Sequence, residues 1–409
     1  MPAPVPGRGR RAPGRLAVLV VSQLLAGVGV ASGIAVGGVL AERLTGTTAL
    51  AGFAQTCSVL GAGLWAIPLA RLAQRRGRRW GLGAGYLLAF LGTLLVLTAV
   101  AADLVPLLFL GFGCFGAATA AGLQARFAAT ELVDPGYRAR AMSIVLWATT
   151  LGSVAGPNLS EVGAALGRRL GIEPLSGPYL FSLVAFAAAA VVIGIALQPA
   201  PVRAGTRPEA ARPSLLDSLR TTRRNRAAVL AVVAITCSHT VMVGVMVMTP
   251  VHMVNDGFGL GLVGLVISIH ILGMYGASPL FGVLTDRIGA RGVLLIAVLV
   301  FAAALLVAGL SGHAHFPTMS LALGLLGLGW SAGMIGGSTL LTTTVADRDR
   351  TSVQGATDAI MNVAAAASSA LSGLVMGWAG YPALALVAAV VVVPMAVLVL
   401  RARPRTLAA

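Results

Sequence analysis

Four side chains that can bind a soft metal ion recur at one spacing in two neighbouring apolar stretches. Met242 and Met246 are four residues apart, and so are His270 and Met274. Residues four apart lie on the same face of an α-helix, so each pair would present both side chains together. Thioether and neutral imidazole groups are ligands that copper accepts, and a histidine inside an apolar span usually marks a function. The two pairs therefore predict a metal path for copper.

The first stretch carries further candidate ligands on the same helical face. His239, Met242, Met246 and Met253 stand at offsets of 0, 3, 7 and 14 residues, which a rotation of about 100° per residue places within a narrow arc. Cys237 points away from this stripe, and Cys237, His239 and Met253 are candidate secondary metal contacts. Methionine stripes at helical spacing also serve as adaptable core packing, which is the alternative interpretation.

Composition assigns these helices to a membrane. The chain has 409 residues, of which 57% are hydrophobic and only 10% are charged. Apolar runs of about 20 residues, each long enough to cross a hydrocarbon core of about 30 Å as a helix, recur along its length. We predict an all-α membrane protein with twelve transmembrane helices. The predicted spans are 16–40, 48–70, 80–101, 105–127, 141–165, 178–197, 227–251, 260–283, 292–311, 317–341, 354–376 and 381–400.

The distribution of arginine predicts the orientation of the chain. All 29 basic residues are arginine, and all but Arg43, Arg168 and Arg169 lie at the termini, in the even-numbered connections or in the central loop, if Arg126 at the end of span 4 is counted with the connection that follows it. The positive-inside rule therefore places both termini in the cytoplasm, in a multi-pass protein of the plasma membrane. The net charge of +16 follows the membrane and does not indicate nucleic acid. The sequence shows no nucleotide-binding loop and no catalytic constellation, so we do not expect an enzyme.

A polar segment divides the spans six and six. Residues 198–226 carry seven arginines and four prolines, which is typical of a cytoplasmic linker between an N-terminal half, 1–197, and a C-terminal half, 227–409. This plan resembles the major facilitator superfamily. The resemblance implies a monomeric secondary transporter that works by alternating access in the lipid bilayer, with no permanently bound cofactor. Protons are a candidate coupling ion, and the sequence leaves the coupling ion open.

A loop motif between spans 8 and 9 supports this resemblance. Gly282, Asp286, Arg287, Gly289 and Arg291 match the superfamily signature G-x-L-x-D-R-x-G-x-R at every defined position. The resemblance implies a gating loop, in which the Asp286 carboxylate pairs with nearby guanidinium groups in one state and releases them in another.

The N-terminal half carries a weaker copy of the motif between spans 2 and 3. Arg75, Gly77 and Arg78 are kept, whereas Ala70 and Gln74 replace the expected Gly and Asp. Recurrence at the same place in both halves indicates an internal repeat. Gln74 cannot form the equivalent ion pair, which leaves open a transport-inactive membrane scaffold or sensor.

Span 5 contains a glycine motif that favours a second transport function. Gly152, Gly156 and Pro157 partly match the G-x-x-x-G-P signature common among efflux antiporters. Small residues permit close helix approach, and the proline permits a bend in helix 5. The alternative function is proton-coupled efflux of a hydrophobic drug or metabolite, and close helix packing alone is the simpler explanation of the motif.

The metal-binding pairs narrow the resemblance. They look like the hallmarks of the CcoA-like copper transporters of the superfamily, M-x-x-x-M on helix 7 and H-x-x-x-M on helix 8, matched here by Met242 with Met246 and by His270 with Met274. The resemblance implies that copper is an imported substrate and that these four residues carry it.

Polar residues at the outer mouth predict a capture site. His252, Asp256, His313 and His315 fall in or beside external loops of the predicted topology. Imidazole and carboxylate groups there would collect metal ions before transport.

Overall fold

The computed structural model describes residues 12–132, 138–197, 223 and 225–402, and these residues contain helices but no strand. The predicted all-α fold class is confirmed. The helices of more than five residues are α1 (Ala12–Thr45), α2 (Ala51–Arg76), α3 (Arg78–Ala101), α4 (Val105–Phe115), α5 (Ala117–Glu131), α6 (Arg138–Asn158), α7 (Ser160–Arg169), α8 (Pro178–Ala196), α9 (Arg226–Asn255), α10 (Leu260–Ile271), α11 (Ser278–Gly309), α12 (Phe316–Thr344) and α13 (Asp347–Arg401).

Nine helical stretches in the described ranges are long and apolar enough to cross a membrane. Two of them, Leu260–Gly309 and Val353–Arg401, contain 50 and 49 residues, about twice the 20 that one crossing needs. Each contains one glycine with non-helical backbone angles, Gly289 with φ of 77° and Gly380 with φ of 76°. These kinks fall between the predicted spans 8 and 9 and the predicted spans 11 and 12.

The fifth predicted span is interrupted near its proline. Pro157 lies in the last turn of α6, which ends at Asn158, and α7 begins at Ser160. A proline inside a helix removes one backbone donor and crowds the preceding turn, which favours a break at this point. The interruption lies at the position where the sequence predicts a bend in the fifth span, 141–165.

The two copies of the loop motif share a backbone conformation. Gly77 and Gly289 occupy equivalent motif positions and have φ of 98° and 77°. A side chain at positive φ is strained, so these positions favour glycine. The internal repeat therefore extends from the sequence to the local fold.

The chain forms two compact units that differ from the predicted halves at one segment. The first unit comprises Met1–Leu40 and Cys57–Arg203, and the second comprises Ala41–Thr56 and Ala204–Ala409. Residues 41–56 belong to the N-terminal half by sequence but to the second unit by contact. Most of the predicted linker, residues 198–222 and 224, lies outside the described residues.

Within the first unit, the glycines of the span 5 motif pack against α1. A Cβ atom at Gly152 would lie 2.2 Å from the carbonyl oxygen of Leu24, and one at Gly156 would lie 2.8 Å from that of Val28. The Ser32 hydroxyl donates to the Gly156 carbonyl over 3.1 Å. The two backbones therefore approach because neither glycine has a side chain, and close packing accounts for this motif without export.

Within the second unit, α12 packs against α9, α10 and α11, while α13 packs against α9. The segment 41–56 packs against α13 through hydrogen bonds from side-chain hydroxyls to backbone carbonyls. The Ser369 hydroxyl donates to the Gly52 carbonyl over 2.8 Å, and the Thr56 hydroxyl donates to the Ala366 carbonyl over 2.9 Å. A Cβ atom at Gly52 would collide with the Ser369 carbonyl oxygen, which explains the glycine.

Candidate functional site

The four predicted copper ligands lie on two helices that share a neighbour. Met242 is 4% exposed and Met246 is half-buried on α9, whereas His270 at the end of α10 is fully buried and Met274 is 7% exposed. The helix α12 packs against both α9 and α10. Among the described residues, no hydrogen bond or ring contact links the two pairs, so their convergence on one ion stays a prediction.

The His270 ring has one bonded nitrogen and one unbonded nitrogen. Its Nδ1 lies 2.8 Å from the carbonyl oxygen of Leu323 on α12. Because a carbonyl only accepts, Nδ1 carries the proton of the neutral ring. The Nε2 atom is buried and has no hydrogen-bond partner among the residues that the structure describes. A ring oriented by one backbone contact, with the other nitrogen bare, has the form of a histidine metal ligand.

The helix winding changes at the end of α10, two residues after His270. Residues Leu272–Gly276 form a π-helical turn that contains Met274, and π-helical turns recur at functional sites. Gly327 of α12 sits against this turn. A Cβ atom there would lie 2.3 Å from the His270 carbonyl oxygen and 3.0 Å from the Met274 nitrogen. The missing side chain lets α12 support the π-helical turn by direct backbone contact.

The structure assembles a second group of three ring side chains, which we call the aromatic triad: His239 of α9, Trp330 of α12 and Tyr275 of the π-helical turn. The Trp330 Nε1–H donates to His239 Nδ1 over 3.0 Å. The rings of Trp330 and Tyr275 meet edge to face, with centroids 5.5 Å apart. Tyr275 is 37% exposed, and the other two rings are half-buried. The triad therefore presents a partly accessible aromatic surface that links three segments of the second unit.

The structure divides the predicted stripe on α9 into core and accessible residues. His239 and Met246 are half-buried, whereas Met242 and Met253 belong to the core, and Met253 has no exposed surface. Cys237 is a half-buried free thiol. The helical wheel therefore groups His239 and Met246, which are partly accessible, with Met242 and Met253, which are buried.

The predicted capture residues at the outer end of α9 make packing contacts. The His252 ring stacks on Tyr381 with centroids 4.4 Å apart, and its Nε2 lies 3.9 Å from Asp256 Oδ2. The same carboxylate oxygen accepts the Ala314 N–H in the loop that carries His313 and His315. In the part of the chain that the structure describes, no three His, Cys, Asp or Glu side chains form a metal-binding group.

The gating loop is exposed at its acidic residue. Asp286 and Arg287 are exposed, and the described residues contribute no ion pair to Asp286. The Arg291 Nε–H donates to the Val399 carbonyl over 3.1 Å and so fastens the loop to the end of α13. In the N-terminal copy Arg75 is exposed and Arg78 is half-buried. The predicted lock at Asp286 stays a prediction.

The first unit contains a buried amide network that the motifs did not indicate. Gln23 Nε2 donates to the Tyr86 hydroxyl over 2.6 Å, and the Thr149 hydroxyl lies 3.1 Å from Gln23 Oε1 as a donor. Gln23 and Tyr86 are almost completely buried. Buried amides are stable only when they are bonded, and this network joins α1, α3 and α6.

Sequence comparison assigns the family. The sequence profile of the Major Facilitator Superfamily matches residues 19–263 and 232–409. The chain belongs to this superfamily. A relative in Bacillus subtilis (strain 168), the uncharacterized MFS-type transporter YdeG, is 36% identical over 377 residues, which is 91% of this chain and 88% of the relative. This facilitator is therefore a multi-pass membrane transporter.

Two further comparisons extend this assignment. The riboflavin transporter RfnT of Brucella anthropi is 28% identical over 413 residues. The match covers 96% of this chain and 97% of that relative. The crystal structure of a bacterial homologue of the human lysosomal transporter Spinster, inward-facing and unoccupied, matches with a TM-score of 0.73. Its identity is 16% and the match covers 98% of both chains, so this likeness shows the facilitator fold alone.

Proposed function

We propose that this facilitator carries a planar heteroaromatic small molecule across the cytoplasmic membrane by alternating access, with both termini in the cytoplasm. The aromatic triad is the observation that carries the proposal. Offset and edge-to-face ring contacts favour flat aromatic ligands by about 0.5–1.5 kcal/mol per pair beyond simple area burial. The riboflavin transporter named above is a relative, and riboflavin is a molecule of this class.

The accessibility of the triad supports this cargo class. Trp330 contacts His239 through its Nε1–H and contacts the ring of Tyr275 edge to face. All three rings keep some exposed surface. Rings that served only as core packing would be enclosed, as Tyr86 and Phe301 are. A partly exposed ring surface is suited to a ligand that binds and leaves again.

The test is transport of riboflavin by the purified protein in proteoliposomes, measured by the fluorescence of the trapped dye. Replacement of Trp330 by Leu is expected to raise the apparent KM about 5- to 10-fold, equivalent to about 1–1.4 kcal/mol of ring contact. Trp378→Leu is the matched control, because Trp378 is 93% exposed on α13. Uptake that is absent in the wild type, or equal in the two variants, would refute the proposal.

Copper import is the second candidate function, and the bare Nε2 of His270 favours it. Neutral thioether and imidazole ligands suit a copper ion that must be bound and then released. The proposal requires Met242, Met246 and Met274 to approach this nitrogen during the transport cycle.

Copper accumulation in cells that express the protein tests the second candidate. His270→Gln and Met246→Leu are expected to abolish accumulation at equal protein levels. Met248→Leu is the control, because Met248 is fully buried on α9 at a different helical angle and lies outside the proposed path. Accumulation that does not depend on the protein would rule out copper, and it would leave the aromatic cargo unaffected.

The direction of transport is tested in the same vesicles. Right-side-out and inside-out preparations, each given an inward or outward proton gradient, separate import from proton-coupled efflux. Efflux of a hydrophobic drug would appear as loss of preloaded dye that requires external acid.

A further inference from the structure

We infer that Trp330 holds His239 as the neutral Nε2–H tautomer, so that His239 donates a hydrogen bond to a ring carbonyl of the cargo. This inference rests on the proposed function and assigns its polar recognition point. It makes His239 a specificity residue for acceptor-bearing rings.

The tautomer follows from the chemistry of the donor. An indole Nε1–H can only donate, and it lies 3.0 Å from His239 Nδ1. His239 Nδ1 must therefore accept with its lone pair. The ring proton then resides on Nε2. A charged imidazolium would oppose two N–H groups across this contact and is disfavoured by it.

The protonated nitrogen defines what His239 can recognise. An Nε2–H group donates and cannot ligate a metal ion, so the structure does not favour the secondary copper contact predicted at this residue. The complementary partner is an oxygen or nitrogen acceptor. Trp330 and Tyr275 supply flat surfaces beside it, which fits an acceptor carried on a planar ring.

Two neighbouring hydroxyls extend this polar point. Thr236 and Thr240 of α9 have buried hydroxyl oxygens without a hydrogen-bond partner in the described part of the chain. Threonine within a helix commonly bonds the carbonyl four residues earlier, as the Thr249 hydroxyl does with Val245 over 2.9 Å. Thr236 lies one turn before His239 on the same side of the helix, where its hydroxyl can both donate and accept.

Two substitutions at His239 separate ligand recognition from the support of Trp330. A glutamine places an amide N–H near the former Nε2 position but loses the Nδ1 acceptor. An asparagine keeps an acceptor near the former Nδ1 position but loses the distal donor. If His239 serves the cargo, Gln will substitute better than Asn, and if it only holds Trp330, the order will be reversed.

The binding test uses two tricyclic dyes and the full-length protein in nanodiscs. Lumichrome carries ring carbonyls, whereas proflavine has none. For lumichrome, we expect His239→Asn to weaken binding roughly 5- to 10-fold and His239→Gln to stay within about threefold of wild type. Proflavine should bind both variants equally. Wild-type affinity in His239→Asn together with a loss in His239→Gln would overturn the inference.

A second measurement tests the tautomer without any ligand. Nitrogen-15 spectra of histidine-labelled protein should show an Nε2–H, Nδ1-bare ring at neutral pH that is absent from His239→Gln. Trp330→Phe should release the tautomer preference. An Nδ1–H or imidazolium signal would overturn the inference itself. A wild-type chain that binds neither dye would instead refute the proposed function and, with it, the carbonyl contact.

Discussion

Replacement of Gly327 by alanine is expected to separate the π-helical turn from α12. The new Cβ atom would lie 2.3 Å from the His270 carbonyl oxygen and 3.2 Å from the Gly273 carbonyl carbon. An ordinary van der Waals contact begins at 3.4 Å, so the two backbones must part by about 1 Å. All of the colliding atoms belong to the backbone and cannot rotate away.

The energetic cost follows from this displacement. Overpacking costs about 1–3 kcal/mol. A shift of this size would also carry the 2.8 Å contact between His270 Nδ1 and Leu323 oxygen past hydrogen-bonding range, at about 1 kcal/mol. Alanine in place of a helical glycine returns about 0.5–1 kcal/mol. The expected net loss of stability is about 2 kcal/mol.

Thermal unfolding of the purified protein measures this loss, with Gly324→Ala as the matched control one turn earlier on α12. A Cβ atom at Gly324 meets only the Cγ2 atom of Ile269 at 3.3 Å, a side-chain contact that can yield. We expect Gly327→Ala to lower Tm and Gly324→Ala to leave it equal or higher. Equal values for both variants would refute the argument that backbone contact supports the π-helical turn.

Three further outcomes are expected. Gly289→Ala should lower the free energy of unfolding by about 1–2 kcal/mol, because φ at Gly289 is 77°. The control Gly282→Ala, in the same motif and with open space around it, should not lower it, and thermal melting curves compare the two variants. Gly52→Ala should detach segment 41–56 and increase the labelling of Cys57, the half-buried free thiol that directly follows the segment, whereas Gly63→Ala, with open space around it, should not; equal labelling contradicts the contact. Tyr179→Phe removes the 2.9 Å bond to a buried backbone carbonyl and should cost about 1 kcal/mol in denaturant titrations, so an unchanged midpoint would contradict it.

The sequence was sufficient to predict the helical architecture, because each membrane span is a long continuous run of apolar residues. The loop motif also predicted the glycines that the structure shows at positive φ, Gly77 and Gly289. The π-helical turn at 272–276 and the break beside Pro157 modify two predicted spans without removing them.

The candidate site was less accessible to sequence reasoning because its partners are distant along the chain. The helical wheel placed His239 on the methionine stripe, but Trp330 is 91 residues away, and nothing local marks their contact. The wheel also grouped Met242 with Met246, although only Met246 is partly accessible, because burial depends on which helices pack nearby.

The placement of segment 41–56 means that the polypeptide passes from one unit to the other more than once. This segment leaves the first unit after Leu40, joins the second unit, and returns at Cys57. Its backbone carbonyl at Gly52 is bonded by Ser369, and its Thr56 hydroxyl is bonded to Ala366. A protease cut between residues 203 and 204 would therefore not divide the chain into its two units. The N-terminal fragment would still contain the sixteen residues 41–56, which belong to the second unit.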